Sequence, residues 1–133
     1  MSLENVEIVR EAIKARNRDL DEWLAFFHPA VQSSDRLTAA GMTTESEGLG
    51  ELRRDAEQWT EIFDESKVEI VELQDLDELV LAQVRFHGHG GASGAKVAAS
   101  QIDLYRVSEG MITEYRSGYR SREEALEAAG LSE

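Results

Sequence analysis

Two stretches in the first half of the chain show the spacing of amphipathic helices. Val6, Val9 and Ile13 recur at intervals of three and four residues with charged residues between them, which predicts a helix near 4–17 that is buried along one side. A second apolar stripe with the same spacing predicts another helix at about 48–63. The members of this second stripe are Leu49, Leu52, Ala56, Trp59 and Phe63.

The segment between these two helices combines a helix start with an ambiguous stretch. Asp19 and Glu22 have the spacing of a capping box, so a short second helix is expected to begin there. It must end before Pro29, because a residue that precedes proline is pushed out of the helical region. Residues 31–47 fit either a strand at 31–37 or a loop. The short helix is expected to carry Trp23, Leu24 and Phe27.

The second half of the chain changes to the period of two that β-strands show. Four alternating stretches follow one another, joined by short turn-forming segments and, between the second and the third, by the Gly-rich segment 88–94. Strands in sequence with tight connections predict an antiparallel meander. The four stretches lie around Val68 and Ile70, at 79–87, at 96–107 and at 111–119.

The end of the chain completes the layout. Ser121 and Glu124 form a second capping box, which predicts a short terminal helix closed by Gly130. Helices followed by a run of strands predict an α+β fold in which the helices pack on one face of a curved antiparallel sheet. Residues 1–133 are expected to form one domain, because neither a repeat nor a linker interrupts them and their number suffices for a core.

Composition disfavours several classes of function. The chain has 27 acidic and 14 basic residues, a formal net charge of −13. This excess repels phosphate backbones and anionic lipid headgroups, so neither nucleic acid nor a membrane is an expected partner. Cysteine is absent, which removes thiol catalysis and Cys-based metal sites. No apolar run is long enough to span a bilayer, and Met1–Arg10 lacks the basic start of a signal peptide, so a cytoplasmic location is expected.

Strand 96–107 carries the most informative polar residues. Gln101 and Asp103 alternate with apolar residues and share one face of this strand with Tyr105. If that face lies under the helices, burial raises the pKa of Asp103 and suits it to act as a general base or, when protonated, as a hydrogen-bond donor. The alternative is that Asp103 faces outward and pairs with Arg85 or Arg106, since a one-residue shift in register exchanges the two faces.

The preceding strand supplies possible partners for that carboxyl group. Arg85 and His87 share a face, and a hairpin through the Gly-rich segment can bring them near Asp103. Such a cluster could abstract a proton next to a carbonyl group or activate a water molecule. Alternatively, His87 and His89 are solvated beside the hairpin. Their spacing also fits a metal site, but no third ligand has a recognisable spacing, so no metal is predicted.

Five segments carry a resemblance to a known family. They are Glu4–Arg10, Asp21–Pro29, Gly48–Trp59, Gly110–Ile112 and Arg122–Leu131. Together they resemble the SnoaL-like branch of the nuclear transport factor 2-like superfamily over nearly the whole chain. The resemblance implies a cone-shaped α+β fold with an internal pocket, usually as a homodimer. The chain departs from the family pattern at Ala30, where an acidic residue commonly follows the proline, and at Asp103, near which a large aromatic residue is common.

The resemblance transfers the fold but not the chemistry, since members include polyketide cyclases and relatives include ketosteroid isomerase, limonene epoxide hydrolase and pure binding domains. In such a fold the core and the pocket wall are continuous, so aromatic residues on the helical stripes and on the last strand can line a ligand pocket. They could equally be ordinary core or cover the sheet in a dimer interface. These residues are Trp23, Phe27, Trp59, Tyr115 and Tyr119, of which the last two share a face by alternation.

The leading hypothesis is a pocket protein of the SnoaL-like type that binds an apolar small molecule carrying a carbonyl or hydroxyl group. As an enzyme it would be a cofactor-independent acid/base isomerase, cyclase or hydrolase with Asp103 as the base. Its expected partners are Arg85, His87, Gln101 and a tyrosine such as Tyr105. No phosphate-binding glycine motif or nucleophile elbow indicates a cofactor or a covalent mechanism. The alternative is a non-catalytic module for ligand binding or dimerisation.

Overall fold

Within residues 2–36, 44–90 and 95–130, which the computed structural model describes, the chain forms four helices and six strands. The helices are α1 (Ser2–Arg16), α2 (Leu20–Leu24), α3 (Leu49–Ile62) and α4 (Arg122–Ala128). The strands are β1 (Phe27–Asp35), β2 (Thr44–Glu47), β3 (Phe63–Asp75), β4 (Leu79–Gly90), β5 (Ala95–Ser108) and β6 (Met111–Tyr119). None of the described helices is long and apolar enough to cross a membrane.

All six strands belong to one sheet, in the order β2-β1-β6-β5-β4-β3. Strands β3 to β6 pair as an antiparallel meander, as their alternation predicts, and β1 extends it by pairing parallel to β6. The predicted α+β fold, with N-terminal helices packed on an antiparallel sheet, is confirmed. The Gly-rich connection from β4 to β5 includes residues 91–94, which lie outside the described residues; at its base Gly90 pairs with Ala95.

The second helix is shorter than predicted. It begins at the Asp19 cap, whose carboxylate accepts a hydrogen bond from the Glu22 N–H, but it ends at Leu24. Phe27 therefore starts strand β1 instead of lying on a helix, which corrects the sequence prediction. Two forces favour the strand: Pro29 pushes its neighbour into the extended region, and pairing with β6 supplies backbone hydrogen bonds that a longer helix would forgo.

The ambiguous segment 31–47 resolves into strand at both of its ends. β1 continues to Asp35, and β2 pairs antiparallel to it with Asp35 opposite Thr44. The residues between, 37–43, lie outside the described part of the chain. The sequence suggested strand only for the first part, because the serine- and glutamate-rich residues of β2 have low strand propensity and no apolar alternation.

The sheet separates two apolar clusters, one on each of its faces. The inner face packs against α1, α2 and α3, and its most deeply buried side chains include Val9, Phe27, Val31, Val84 and Ile112. Burying a side chain of this size contributes about 1.5–3 kcal/mol to folding. On the outer face a smaller cluster lies under α4, formed by Leu81, Ile102, Leu104, Tyr119 and Ala125. Function is therefore sought between the inner face and the three N-terminal helices.

Candidate functional site

A cavity of about 110 Å³ lies between the inner face of the sheet and helices α1 to α3. Its volume is enough for several water molecules in contact or for a small organic group. Aromatic side chains form much of its wall, and a few polar groups point into it. Six of the residues that the sequence indicated line this cavity: Trp23, Trp59, Gln101, Asp103, Tyr105 and Tyr115.

Asp103 is the most deeply buried carboxyl group of the cavity, with 3% of its surface exposed. Its Oδ1 accepts a hydrogen bond from Gln101 Nε2 over 2.9 Å and another from the Gly118 N–H over 3.1 Å. Burial raises the pKa of Asp103 from 3.8 to about 7, an effect that the two hydrogen bonds oppose and the nearby charge of Asp35 reinforces. Both protonation states are therefore populated near neutral pH. The outward-facing alternative is wrong, because Asp103 is buried and lines the cavity, while Arg106 pairs with Glu78 and Glu114.

A bulge in β6 brings the Gly118 donor to this carboxyl group. Ile102 pairs with Tyr119 and Leu104 pairs with Arg116, so β6 has one more residue than β5 between these two pairs. Gly118 occupies this bulge with φ +89°, a conformation that glycine adopts without a steric penalty. The bulge turns the Gly118 N–H toward Asp103.

The same bulge corrects the prediction for Tyr119. Simple alternation places Tyr115 and Tyr119 on one face of β6, but the extra residue reverses the alternation between them. Tyr119 packs in the outer cluster, with the Arg36 guanidinium 5.3 Å from the centre of its ring, and it does not line the cavity. No feature of a single sequence marks such a bulge except the Gly118 that permits it.

Two stacked phenols continue the polar wall of the cavity. The ring centres of Tyr105 and Tyr115 are 4.9 Å apart, and their hydroxyl groups are within hydrogen-bond reach of each other. Burial raises the pKa of both phenols well above the ordinary value, so both stay protonated and can donate hydrogen bonds. Tyr115 also bonds to Ser117, whose Oγ donates to the Ser34 carbonyl.

Ser33 adds a polar group that the sequence analysis did not identify. It lies beside Tyr115 in the β1–β6 ladder and lines the cavity. Its Oγ is buried and has no hydrogen-bond partner among the described residues, so it can serve a ligand atom. Its neighbour on the same face, Asp35, accepts a hydrogen bond from Trp59 Nε1 over 3.1 Å. The alternation of Ser33 and Asp35 with the apolar Val31 was the available signal, hidden by the ambiguity of 31–47.

Phe27 was predicted to contact the ligand, but the structure places it behind the cavity wall. Its ring lies 4.8 Å from that of Trp23 and 6.0 Å from that of Tyr115, and it is fully buried without lining the cavity. Trp23 and Tyr115 stand between it and the cavity. Its role is therefore to support the wall from the core.

Arg85 and His87 do not join the site. In the β4–β5 ladder Ala82 pairs with Asp103 and Arg85 pairs with Ser100, so alternation puts Arg85 and His87 on the outer face. Both are exposed, and His87 Nε2 lies 3.0 Å from Glu69 Oε1. The predicted cluster with Asp103 is corrected for this reason: the residues share a region of the sheet but not a face.

The end of α1 supplies a positive charge to the cavity. Arg16, which the sequence analysis did not identify, is half-buried, and its guanidinium lies 5.3 Å from the centre of the Trp23 ring. Burial lowers the pKa of Arg16, an effect that the nearby phenols Tyr115 and Tyr105 oppose. The next residue, Asn17, exchanges two hydrogen bonds of 2.8 Å with the backbone of Val68 and so fixes the end of the helix to β3.

The site can bind and transfer a proton but has no evident metal ligands. Among the described residues, no three His, Asp or Glu side chains come together as a metal site would require. Asp103 can exchange a proton, and the phenols and Ser33 can donate hydrogen bonds to a ligand oxygen within a largely aromatic wall. These groups together match the requirements for acid/base chemistry on a small apolar molecule.

Comparison with known proteins gives one family and one fold. The chain matches the SnoaL-like domain family over residues 9–115. Solved structures with this fold include a proposed SnoaL-like polyketide cyclase from Jannaschia sp. CCS1, 20% identical with a TM-score of 0.76 over 87% of this chain and 85% of that one. A nuclear transport factor 2-like protein of unknown function from Burkholderia pseudomallei is 17% identical with a TM-score of 0.77 over 93% and 95%.

A third similar structure is a protein with a ketosteroid isomerase-like fold from Catenulispora acidiphila, in complex with trimethylamine. It is 20% identical, with a TM-score of 0.73 over 94% of this chain and 93% of that one. At these identities the likeness is one of fold alone. No curated protein sequence matches the chain significantly.

Proposed function

Because the chain belongs to the SnoaL-like domain family and its cavity holds a buried carboxyl group among apolar walls, we propose that it is a cofactor-independent acid/base enzyme. Its substrate is a small apolar molecule with a carbonyl or hydroxyl group. The reaction is an isomerisation, a cyclisation or a hydrolysis, each of which needs a group that can take up a proton and return it.

The single observation that carries this proposal is the environment of Asp103. A general base works best when its pKa lies near the pH at which it operates, and burial brings the pKa of Asp103 to about 7. The hydrogen bonds from Gln101 and Gly118 both go to Oδ1, which supports Oδ2 as the oxygen that takes up the substrate proton. A surface carboxylate would be a weaker base by several pKa units.

The proposed step is proton abstraction from a carbon next to the substrate carbonyl. Asp103 Oδ2 takes the proton, the C–H electron pair moves into a carbon–carbon double bond, and the carbonyl oxygen becomes an enolate oxygen. Ser33, whose Oγ has no hydrogen-bond partner among the described residues, is the donor that can stabilise this oxygen, and Tyr115 beside it in the β1–β6 ladder can add a second bond if its O–H turns from Ser117 to the ligand. Returning the proton to a different carbon gives an isomerase, and attack of the enolate on a second carbonyl group gives a cyclase.

Deuterium exchange tests the base without knowledge of the natural substrate. A bicyclic aromatic ketone such as indanone is incubated with the protein in D₂O, and loss of its α-proton signal is followed by NMR. We expect acceleration over buffer that falls about a hundredfold or more in Asp103→Asn. Glu57→Gln, which changes an exposed carboxylate on α3, is the matched control and should retain the rate.

The competing function is ligand binding without catalysis. It uses the same cavity and predicts that a panel of ketones binds but none exchanges faster than in buffer. An exchange rate that is unchanged in Asp103→Asn would also favour it, because the acceleration would then not come from this carboxyl group.

We also propose a homodimer that forms through the outer face of the sheet, in a cytoplasmic location. On the outer face of the sheet, Ala98 and Ser100 of β5 are small and exposed, and they pair with the exposed Arg85 and His87 of β4, so a second sheet could approach β5 closely there. Light scattering should give twice the chain mass of 14.9 kDa. A mass of one chain at micromolar concentration would contradict the dimer.

A further inference from the structure

Arg16 brings a cation to the cavity that also contains the Asp103 carboxyl group. It is the last residue of α1, and its guanidinium lies over Trp23, whose ring is 6.0 Å from that of Tyr115. Tyr115 is in turn stacked on Tyr105. Both phenols are near enough to Arg16 and to Asp103 to interact electrostatically with each, so the aromatic wall connects the positive charge with the carboxyl group.

Arg16 differs from the other basic side chains of the described residues. Those that are half-buried pair with a carboxylate, and those without one are exposed to solvent. Arg16 is half-buried, yet no carboxylate lies within ion-pair distance of it among the described residues, in a chain with an excess of acidic groups. The paired, half-buried members of this set are Arg10, Arg53, Arg106 and Arg116.

Contacts with residues 2–36, 44–90 and 95–130 do not satisfy this guanidinium. The cation–π contact with Trp23 is made to the face of an aromatic ring and supplies no hydrogen-bond acceptor oxygen for the N–H donors of the guanidinium. The neighbouring Asn17 amide makes its hydrogen bonds to the Val68 backbone. The cavity carboxylates Asp35 and Asp55 accept hydrogen bonds from Trp59 and Ser46 instead. Removing a positive charge from water in this way costs free energy unless an anion pairs with the charge.

We infer that the cavity binds a carboxylate-bearing molecule, whose anionic group lies against the Arg16 guanidinium. Planar carboxylate and guanidinium groups form paired, charge-assisted hydrogen bonds, which are stronger than bonds between neutral groups. The apolar part of the ligand lies along Trp23, Tyr115 and Tyr105 toward Asp103. This last placement rests on the proposed function, in which the reacting carbon lies at Asp103; the anion site itself does not.

Matched probes of one shape and three charges test the inference. Benzoate, benzamide and benzylamine are titrated separately, and binding is followed by tryptophan fluorescence, because Trp23 and Trp59 both line the cavity. We expect wild-type protein to bind benzoate about tenfold or more tightly than benzamide. Arg16→Met keeps an unbranched side chain over Trp23 and should reduce this preference to within about twofold.

Arg18→Met is the control variant. Arg18 is exposed and pairs with Glu22, so its loss removes one positive charge from the same region without touching the cavity. It should retain the preference for benzoate. A purely structural role of Arg16, such as stacking on Trp23, would lower the stability of Arg16→Met but would leave the ratio of benzoate to benzamide affinity unchanged.

Three results would overturn the anion site: equal affinity for benzoate and benzamide, no saturable binding of benzoate, or tighter binding of benzylamine than of benzoate. The ketone exchange assay separates this failure from failure of the enzyme. Asp103-dependent exchange without a benzoate preference removes the anion site and keeps the base. An Arg16-dependent benzoate preference without exchange keeps the anion site and removes the base.

Discussion

The backbone N–H of Gly118 donates a hydrogen bond to Oδ1 of Asp103 over 3.1 Å, from the bulge in β6 to the strand beside it. Several backbone hydrogen bonds to a carboxylate lower the pKa of the carboxyl group strongly, but Asp103 accepts only one from the backbone and one from the side-chain amide of Gln101 among the described residues. These two bonds orient the group without cancelling the cost of burial. The result is a carboxyl group with a fixed geometry whose pKa is about 7.

Replacing Gly118 tests the bulge. In Gly118→Ala, the side chain must adopt φ +89°, and we expect a loss of about 1–2 kcal/mol in the free energy of unfolding, measured by urea denaturation. Gly50→Ala is the matched control, because Gly50 lies in α3 and an added Cβ there would meet no atom within 4 Å. That change should be neutral or stabilising by up to about 1 kcal/mol. Equal stability of the two variants would show that the bulge does not require glycine.

The pH dependence of stability tests the burial of Asp103. Its pKa is raised in the folded state, so the folded protein binds more protons than the unfolded chain between about pH 4 and pH 7, and stability conferred by protonation is lost as the pH rises through this range. Relative to Asp103→Asn, the wild type should lose up to about 1.4 kcal/mol per pH unit there. Urea denaturation of both proteins from about pH 5 to about pH 8 measures this difference. If the stability of the wild type and that of Asp103→Asn changed with pH in the same way, the pKa of Asp103 would not be raised and its carboxyl group would be solvated.

Much of the fold follows from the sequence because local patterns and tertiary packing agree. The 3.6-residue stripe of α3 and the alternation of β4 and β5 each bury the face that they predict. The sequence did not predict that β1 begins at Phe27. A capping box starts helix α2 just before this residue, and the pairing of Phe27 with Ile112 of β6 favours a strand there over a longer helix. That pairing joins residues far apart along the chain, so no local window contains it.

The residues of the candidate site were predictable where the alternation of side chains along one strand is enough to decide which face they share. Asp103 and Gln101 alternate with apolar neighbours, and this placed them correctly on the inner face. The prediction for Tyr119 was wrong because a bulge in β6 reverses the alternation of side chains before this residue. The prediction for Arg85 was wrong because the face that it occupies depends on the register between β4 and β5. Register is set by the whole sheet, so residues on different strands cannot be assigned to one site from spacing alone.

The proposed base predicts a specific pH profile for ketone exchange. Only ionised Asp103 can accept a proton, so the rate should rise about tenfold from about pH 6 to about pH 8 and then level off, with its midpoint near the pKa of about 7. Exchange catalysed by hydroxide in buffer rises tenfold with every pH unit and does not level off, so the two are separated by subtracting the buffer rate. A profile without a plateau would exclude Asp103 as the base.

Asn17 predicts a coupling between α1 and the edge of the sheet. Its amide donates to the Val68 carbonyl and accepts from the Val68 N–H, as a neighbouring strand would. Asn17→Ala leaves both groups unpaired or solvated and should lower the free energy of unfolding by about 1–3 kcal/mol. Arg18→Ala, one residue further along, should cost less than about 0.5 kcal/mol, since exposed ion pairs contribute little. Similar losses in both variants would mean that the amide bridge adds nothing.

Phe27, which lies behind the cavity wall, and Trp59, which lines the cavity, should respond differently to substitution. Phe27→Ala opens a hole in the core behind Trp23, and we expect a loss of about 3–5 kcal/mol in the free energy of unfolding. Trp59→Phe removes the donor to Asp35 at the cavity surface but keeps an aromatic ring, so it should cost about 1–3 kcal/mol and weaken the binding of benzamide. Urea denaturation and isothermal titration calorimetry measure the two effects separately. If Phe27→Ala proves as stable as the wild type while losing affinity, Phe27 belongs to the binding surface and the position of the wall is wrong.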